Sequence, residues 1–329
     1  MIYDQKDKVK YMYPLLLKAP IKDYLWGGTK LKTDFGFETE KDIAAEAWML
    51  SAHKDGMNIV LNGEHRGKTI NDVLDIWGKS ALGKNAEKFS YFPILIKLID
   101  AKQKLSVQVH PNDEYALSTE GEYGKTEMWY VVDCEEGAQL IYGFKEDISK
   151  EEFEARIKDN TLTDVCNFVP VHKGDVFFIS AGTLHAIGEG ILIAEVQQNS
   201  NTTYRVSDYG RLGADGKPRE LHIEKALDVT KCEKPTLPYG QVGKITENDG
   251  EKYRELARCD LFTTGVISLK KSTVINTKES FVSLVVLDGN ADIHCKENTI
   301  VAKKGDSVFI PANLSVELTG EAEILYSYV

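Results

Sequence analysis

One pattern occurs twice in this sequence, and that repetition limits the possible folds more than any other feature. Gly174-Asp175-Val176-Phe177-Phe178-Ile179 runs into Ser180, and Gly305-Asp306-Ser307-Val308-Phe309-Ile310 runs into Pro311. Each is a glycine–aspartate turn followed by β-branched and aromatic residues, the pattern of a buried strand. A unit used twice in one chain points to two similar β-domains in tandem. Length agrees, because 329 residues exceed what a single core usually fills. Lys234-Pro235-Thr236-Leu237-Pro238-Tyr239-Gly240, with two prolines and a glycine, is the best linker. The expected division is therefore residues 1–233 and 241–329. Helices should be few and short. Asn71 is a plausible N-cap for a helix to Trp77 that places Val73, Leu74 and Trp77 on one face. Ser149 and Glu152 form a capping box that opens a helix to about Asp159. A third helix lies near residues 220–229.

The chemistry-bearing residues fall on the strands of the first part. In Leu105-Ser106-Val107-Gln108-Val109-His110-Pro111, alternation sends Gln108 and His110 to the same face. Glu127 opens the β-rich run Met128-Trp129-Tyr130-Val131-Val132. After the 174–179 strand comes Ser180-Ala181-Gly182-Thr183-Leu184-His185. Glycine, five residues, a turn position, one residue, glycine, two residues and histidine resemble the second half of a cupin signature. Gln108, His110, Glu127 and His185 together make a nitrogen and oxygen donor set suited to a borderline divalent metal such as zinc. Taken singly, each reads more simply: a glutamine in the core, a solvated carboxylate, a structural imidazole. His53, His65, His172, His222 and His294 keep that simpler reading. Only the joint spacing favours a metal. In the second copy of the pattern, Val316 stands where His185 would align, so that domain reads as metal-free.

Seven ordered blocks extend the resemblance. They are Tyr24-Leu25-Trp26-Gly27-Gly28, Ala45-Glu46-Ala47-Trp48, residues 92–101, residues 105–111, the Lys125 and Glu127 pair, His185, and residues 197–200 with Thr203-Tyr204-Arg205. Over most of the first 225 residues the chain resembles the type I phosphomannose isomerases in their short bacterial form. Two departures stand out. Long members have proline between the lysine and the glutamate, where this chain has Thr126, and a large helical insert between the glutamate and the second histidine, an interval that is short here. The resemblance implies a mainly β fold of two tandem cupin-like (jelly-roll) β-barrels with a few short helices. It also implies zinc-dependent interconversion of mannose 6-phosphate and fructose 6-phosphate, with one Zn2+ per chain held by Gln108, His110, Glu127 and His185. Arg205 matches the family's active-site arginine, whose planar fork suits developing negative charge. Lys97, Ser106, Lys125, Glu46, Trp26 and Glu195 match substrate-pocket positions. Lys97 also interrupts an otherwise apolar strand, and Glu195 sits on a strand where an unpaired buried charge would be costly.

Composition narrows the remaining classes. The longest apolar runs, near Leu15 and Ile94, are broken by Lys18 and Lys97, so no segment reaches membrane-spanning length. The start, Met1-Ile2-Tyr3-Asp4-Gln5-Lys6-Asp7, lacks the features of a signal peptide. Five scattered cysteines suit a reducing, cytoplasmic setting rather than a disulfide framework. A net charge of −11 argues against nucleic-acid or anionic-membrane partners, and leaves a small phosphosugar as the expected one. The competing readings are a metal cupin dioxygenase, an isomerase of another phosphosugar, and a non-catalytic sugar-phosphate-binding cupin. A dioxygenase would not need Arg205 or the lysines. A sensor would be expected to have lost part of the metal set.

Overall fold

The computed structural model describes residues 11–213, 216–248 and 250–329; residues 1–7, read above for a leader, lie outside them. Strands dominate, and they form three large sheets and one small hairpin. The six-stranded sheet runs in the order Val176–Ile179, Glu127–Cys134, Ile191–Gln198, Ile94–Ala101, Glu46–Leu50, Ile21–Lys22, with every neighbouring pair antiparallel. The five-stranded sheet runs Cys166–Pro170, Gln139–Phe144, His185–Ala186, Val107–Val109, Tyr204–Ser207.

Alternation along the six-stranded sheet sends its side chains into two different cores. Ile99, Ala101, Trp129, Val131, Ile191 and Ile193 pack against Leu140 and Tyr142 of the five-stranded sheet. Their neighbours Ile96, Leu98, Met128, Tyr130, Ala194 and Val196 point the other way, onto Val285, Phe309 and Leu325 of the ten-stranded sheet and Phe281 just ahead of it. The six-stranded sheet is thus the middle layer and is buried on both faces, which explains the near-continuous apolar runs of its strands. The far face of the five-stranded sheet is covered by helices Lys150–Lys158 and Ile223–Val229, through Phe153, Ile157 and Ala226.

The expected helices form, with one correction. Ser149 Oγ accepts the Glu152 N–H at 3.1 Å, and the helix ends at Lys158. The earlier helix is Ile70–Trp77, capped by Thr69 rather than Asn71. Thr69 is extended and closes a reciprocal capping box with Asp72, which satisfies two orphan N–H groups at once. Asn71 lies inside the helix and donates from its amide to the Ala52 carbonyl.

The ten-stranded sheet runs Lys244–Asn248, Glu251–Arg258, Thr263–Leu269, Ser315–Tyr328, Val282–Cys295, Ser307–Ile310, Leu15–Lys18, Ile59–Val60, with Ser272–Asn276 and Asn298–Lys303 paired alongside. Leu15 lies opposite Phe309, so two early strands extend a sheet built mainly from the end of the chain. The proline-containing segment 234–240 packs down at its end. Tyr239 stacks on Phe177 with ring centroids 5.5 Å apart, and Gly240 exchanges both backbone hydrogen bonds with Val176.

The repeated sequence pattern is repeated in the backbone. After each copy a residue takes a positive φ, 88° at Gly182 and 63° at Asn313, the left-handed conformation that glycine and asparagine adopt most readily. The Gly182 N–H donates to the carbonyl of His110, and the Asn313 N–H to that of Thr277. Phe281 is fully buried between Phe92 and Phe309, 5.5 and 5.3 Å away, where the middle and ten-stranded layers meet. Phe281→Ala should lower unfolding free energy by roughly 3–5 kcal/mol, read as a lower urea midpoint with an unchanged slope.

Candidate active site

The row of inner-face residues along the middle sheet is apolar at one end and charged at the other. Register places Trp48 opposite Lys97, Lys97 opposite Glu195, and Glu195 opposite Trp129. One step along, Gln197 lies opposite Glu127. The facing row of the five-stranded sheet is Tyr142, His185, Gln108, Arg205, each opposite the next. His110 follows two residues after Gln108, just past the strand. The predicted metal ligands and Arg205 therefore lie on two sheets that face each other across one gap.

At the centre, His110, Glu127 and His185 offer ligand atoms all within 4.8 Å of one another, the one such cluster of three or more His, Cys, Asp or Glu among the described residues. The His185 and His110 Nε2 atoms are 3.2 Å apart, and Glu127 Oε1 lies 3.4 Å from His185 Nε2. His185 Nδ1 lies 2.8 Å from the Thr183 carbonyl, an arrangement that leaves Nε2 with its lone pair free for a metal. Gln108, directly opposite His185 in register, completes the predicted set. Neither oxygen of Glu127 accepts a well-directed hydrogen bond, although the Lys125 ammonium makes an ion pair 2.7 Å from Oε2. A fully buried carboxylate left this way, beside two imidazoles, is what a divalent cation would satisfy. Zinc fits this donor set.

Lysines and carboxylates extend the cluster. Lys125 Nζ also lies 3.0 Å from His110 Nε2 and 3.7 Å from Glu195. Lys97 Nζ lies 3.3 Å from Glu195 and 3.7 Å from Glu46. The indole N–H groups of Trp48 and Trp129 donate to Glu46 and Glu195 at 2.7 and 2.8 Å. All of these charged groups are buried, so their charges must nearly cancel. Burial pushes both His110 and His185 down, His185 to about 3, so the imidazoles are neutral. Three carboxylates then face two ammonium groups. Burial, and next the Glu195 charge, raise Glu127 to about 7. Burial would raise Glu195 too, but Lys125 and Lys97 hold it well below the ordinary range. Glu127, the residue aimed at the two imidazoles, is thus the carboxylate whose charge is least compensated and the one that takes up a proton first.

A cavity of about 300 Å3 opens beside the cluster, and it is lined by every predicted pocket residue: Trp26, Glu46, Lys97, Ser106, Lys125 and Glu195, together with Gln108 and Arg205. Arg205 donates from Nε to Ser106 Oγ at 3.3 Å and from Nη1 to the Glu220 carbonyl at 2.9 Å. Arg219, Tyr24, Asn201 and Thr203 also line it and were missed. Tyr24 and Thr203 lie within the sequence blocks that carry the family resemblance. Arg219 had no local signal, because it is brought in by a two-pronged hydrogen bond to the buried Asp208 at 2.6 and 2.7 Å. The remaining histidines behave as expected; His65, for example, packs between Tyr13 and Trp77.

The Bacillus subtilis mannose-6-phosphate isomerase ManA is 37% identical over 318 residues, 96% of this chain and 99% of its own length. The chain belongs to the type I phosphomannose isomerases. The sequence profile of that family's catalytic domain matches residues 15–138, and the profile of the mannose-6-phosphate isomerase cupin domain matches residues 252–329. A Streptococcus mutans mannose-6-phosphate isomerase is 36% identical over 96% of this chain and 98% of its own. The crystal structure of the mannose 6-phosphate isomerase from Bacillus subtilis superposes with a TM-score of 0.88 at 33% identity, covering 96% of this chain and 99% of that one.

Within this phosphomannose isomerase, metal binding should expel a proton from Glu127. Titrating Zn2+ into metal-free protein at about pH 6 should release roughly one proton, falling toward none by about pH 8, measured by calorimetry in buffers of different ionisation enthalpy. His185→Ala should abolish tight Zn2+ binding in the same experiment.

Proposed function

We propose that this chain is a zinc-dependent aldose–ketose isomerase interconverting mannose 6-phosphate and fructose 6-phosphate, with one metal ion per chain held by Gln108, His110, Glu127 and His185. The observation that carries this reading is the convergence of all predicted pocket residues on one cavity against the buried His110, Glu127 and His185 cluster, in a chain of this family. The catalytic unit is assigned to residues 1–233 and a metal-free partner to 241–329, as two cupin-like barrels. Five free thiols support a reducing, cytoplasmic setting.

Aldose–ketose exchange moves a proton between adjacent carbons through an enediol, so negative charge develops on sugar oxygens. A bound zinc supplies Lewis-acid polarisation of such an oxygen. The chain's own residues supply orientation and charge. Arg205 spends two N–H groups on Ser106 and Glu220, and its remaining donors line the cavity for the substrate. Lys97 and Lys125 present ammonium groups held in place by buried carboxylates, so their charges are already positioned as negative charge develops on the sugar. Trp26, buried in the wall, gives the cavity an apolar face.

The decisive test is a coupled assay on mannose 6-phosphate. Turnover should disappear on chelation and return with Zn2+, and loaded protein with no turnover would overturn the assignment. Arg205→Lys keeps charge but loses the planar fork, so kcat should fall roughly 100-fold with the melting temperature within about two degrees of the parent. A variant with full turnover would return Arg205 to a structural role.

A further inference from the structure

A second cavity, of about 770 Å3, opens on the ten-stranded sheet, and strand register shows that it is the counterpart of the active site. Ile179 and Ile310 hold the same place in the repeated pattern, and their partners are Glu127 and Val282. Moving outward strand by strand, Glu195 corresponds to Tyr326, Lys97 to Gly265, and Glu46 to Tyr253. On the opposite wall His185 corresponds to Val316 and Gln108 to Ile275. His110 corresponds to Thr277, since each carbonyl accepts the matching turn N–H. All four ligand positions are replaced by groups that do not hold zinc, yet the cavity persists and is more than twice as large.

What replaces the charged row is aromatic. Tyr253, Tyr326 and Tyr328 line the cavity over a floor of Ile267 and Val282. Tyr326 and Tyr328 stack with rings 13° from parallel, and Tyr253 meets Tyr326 edge-on at 6.3 Å. Gly265 makes this possible, because a Cβ there would run into the Tyr326 ring. With glycine where the first site has Lys97, a phenol can lie across the strand. The rim is polar: Asn248, Asn276, Lys244 and Lys278 line it. Arg258 is bound by both oxygens of Glu255, so its charge is offset. Burial pushes the Tyr326 phenol up to about 12, keeping it a neutral donor.

We propose that this cavity binds a neutral pyranose ring, stacked on Tyr326 and Tyr328 and hydrogen-bonded at the rim, without metal. The apolar C–H face of a pyranose complements the electron-rich face of a phenol, and its hydroxyls need donors and acceptors around the edge. The volume lies in the roughly 300–1,000 Å3 range of small-molecule sites. The assignment is independent of the chemistry at the first cavity.

Saturation-transfer NMR on the full chain with methyl α-D-mannopyranoside tests it, because that locked ring cannot isomerise. Saturation should reach the ring-face protons and survive removal of metal and the His185→Ala change. Tyr326→Leu and Tyr328→Leu should each weaken binding roughly 3- to 10-fold while leaving turnover of mannose 6-phosphate intact. Two variants guard against one that fails to fold. No saturation of the parent protein, or equal saturation in both tyrosine variants, would overturn the proposal. So would displacement by inorganic phosphate, which would mean that the pocket reads an anion.

Discussion

A sheet buried on both faces has no surface on which to discharge an ion, and the architecture turns on that constraint. The middle sheet has a core on each side, yet its strands carry Glu46, Lys97, Glu127 and Glu195, all buried. Isolated, each would cost several kcal/mol. They are tolerated because register sets them side by side, so that each ammonium meets carboxylates and the Trp48 and Trp129 N–H groups donate to Glu46 and Glu195 as well. Their arrangement leaves one carboxylate, Glu127, without full compensation, and it sits beside the two neutral imidazoles. The demand for a cation at that point is a consequence of how the charges were buried.

Period-two alternation then decides where chemistry can happen. Odd-numbered positions of Ile191–Gln198 carry Ile191 and Ile193 into the inter-sheet core and Glu195 into the site; even positions anchor the ten-stranded sheet. A slip of one residue would exchange those faces and place Glu195 in the docking core. The corresponding row of the ten-stranded sheet carries Tyr253, Gly265, Tyr326 and Val282 instead of charged residues. A cavity of this kind is set by backbone topology, with or without the charged row that the first one carries.

Much of the candidate site was legible along the chain because its signals are local. Gln108 and His110 declare themselves two apart on one strand, His185 follows its turn at a fixed spacing, and Lys97 is conspicuous as a charge in an apolar run. Asn71 reads as the helix cap because it lies closer to the apolar periodicity than Thr69, whereas the reciprocal bond between Thr69 and Asp72 makes Thr69 the cap. Val316 could be aligned with His185 by counting, but nothing local revealed that Thr277 corresponds to His110.

Sequence alone named the central strands, their alternation, the repeat and the candidate ligands, since each of these signals rests on neighbours a few residues apart. Tertiary structure decided that Leu15–Lys18 extends a sheet built mainly from the end of the chain, that Asp208 pulls Arg219 into the cavity wall, and that Glu127 rather than Glu195 is the carboxylate left short of compensation. Those outcomes rest on pairings between distant segments and on burial, and both exist only once the sheets have packed.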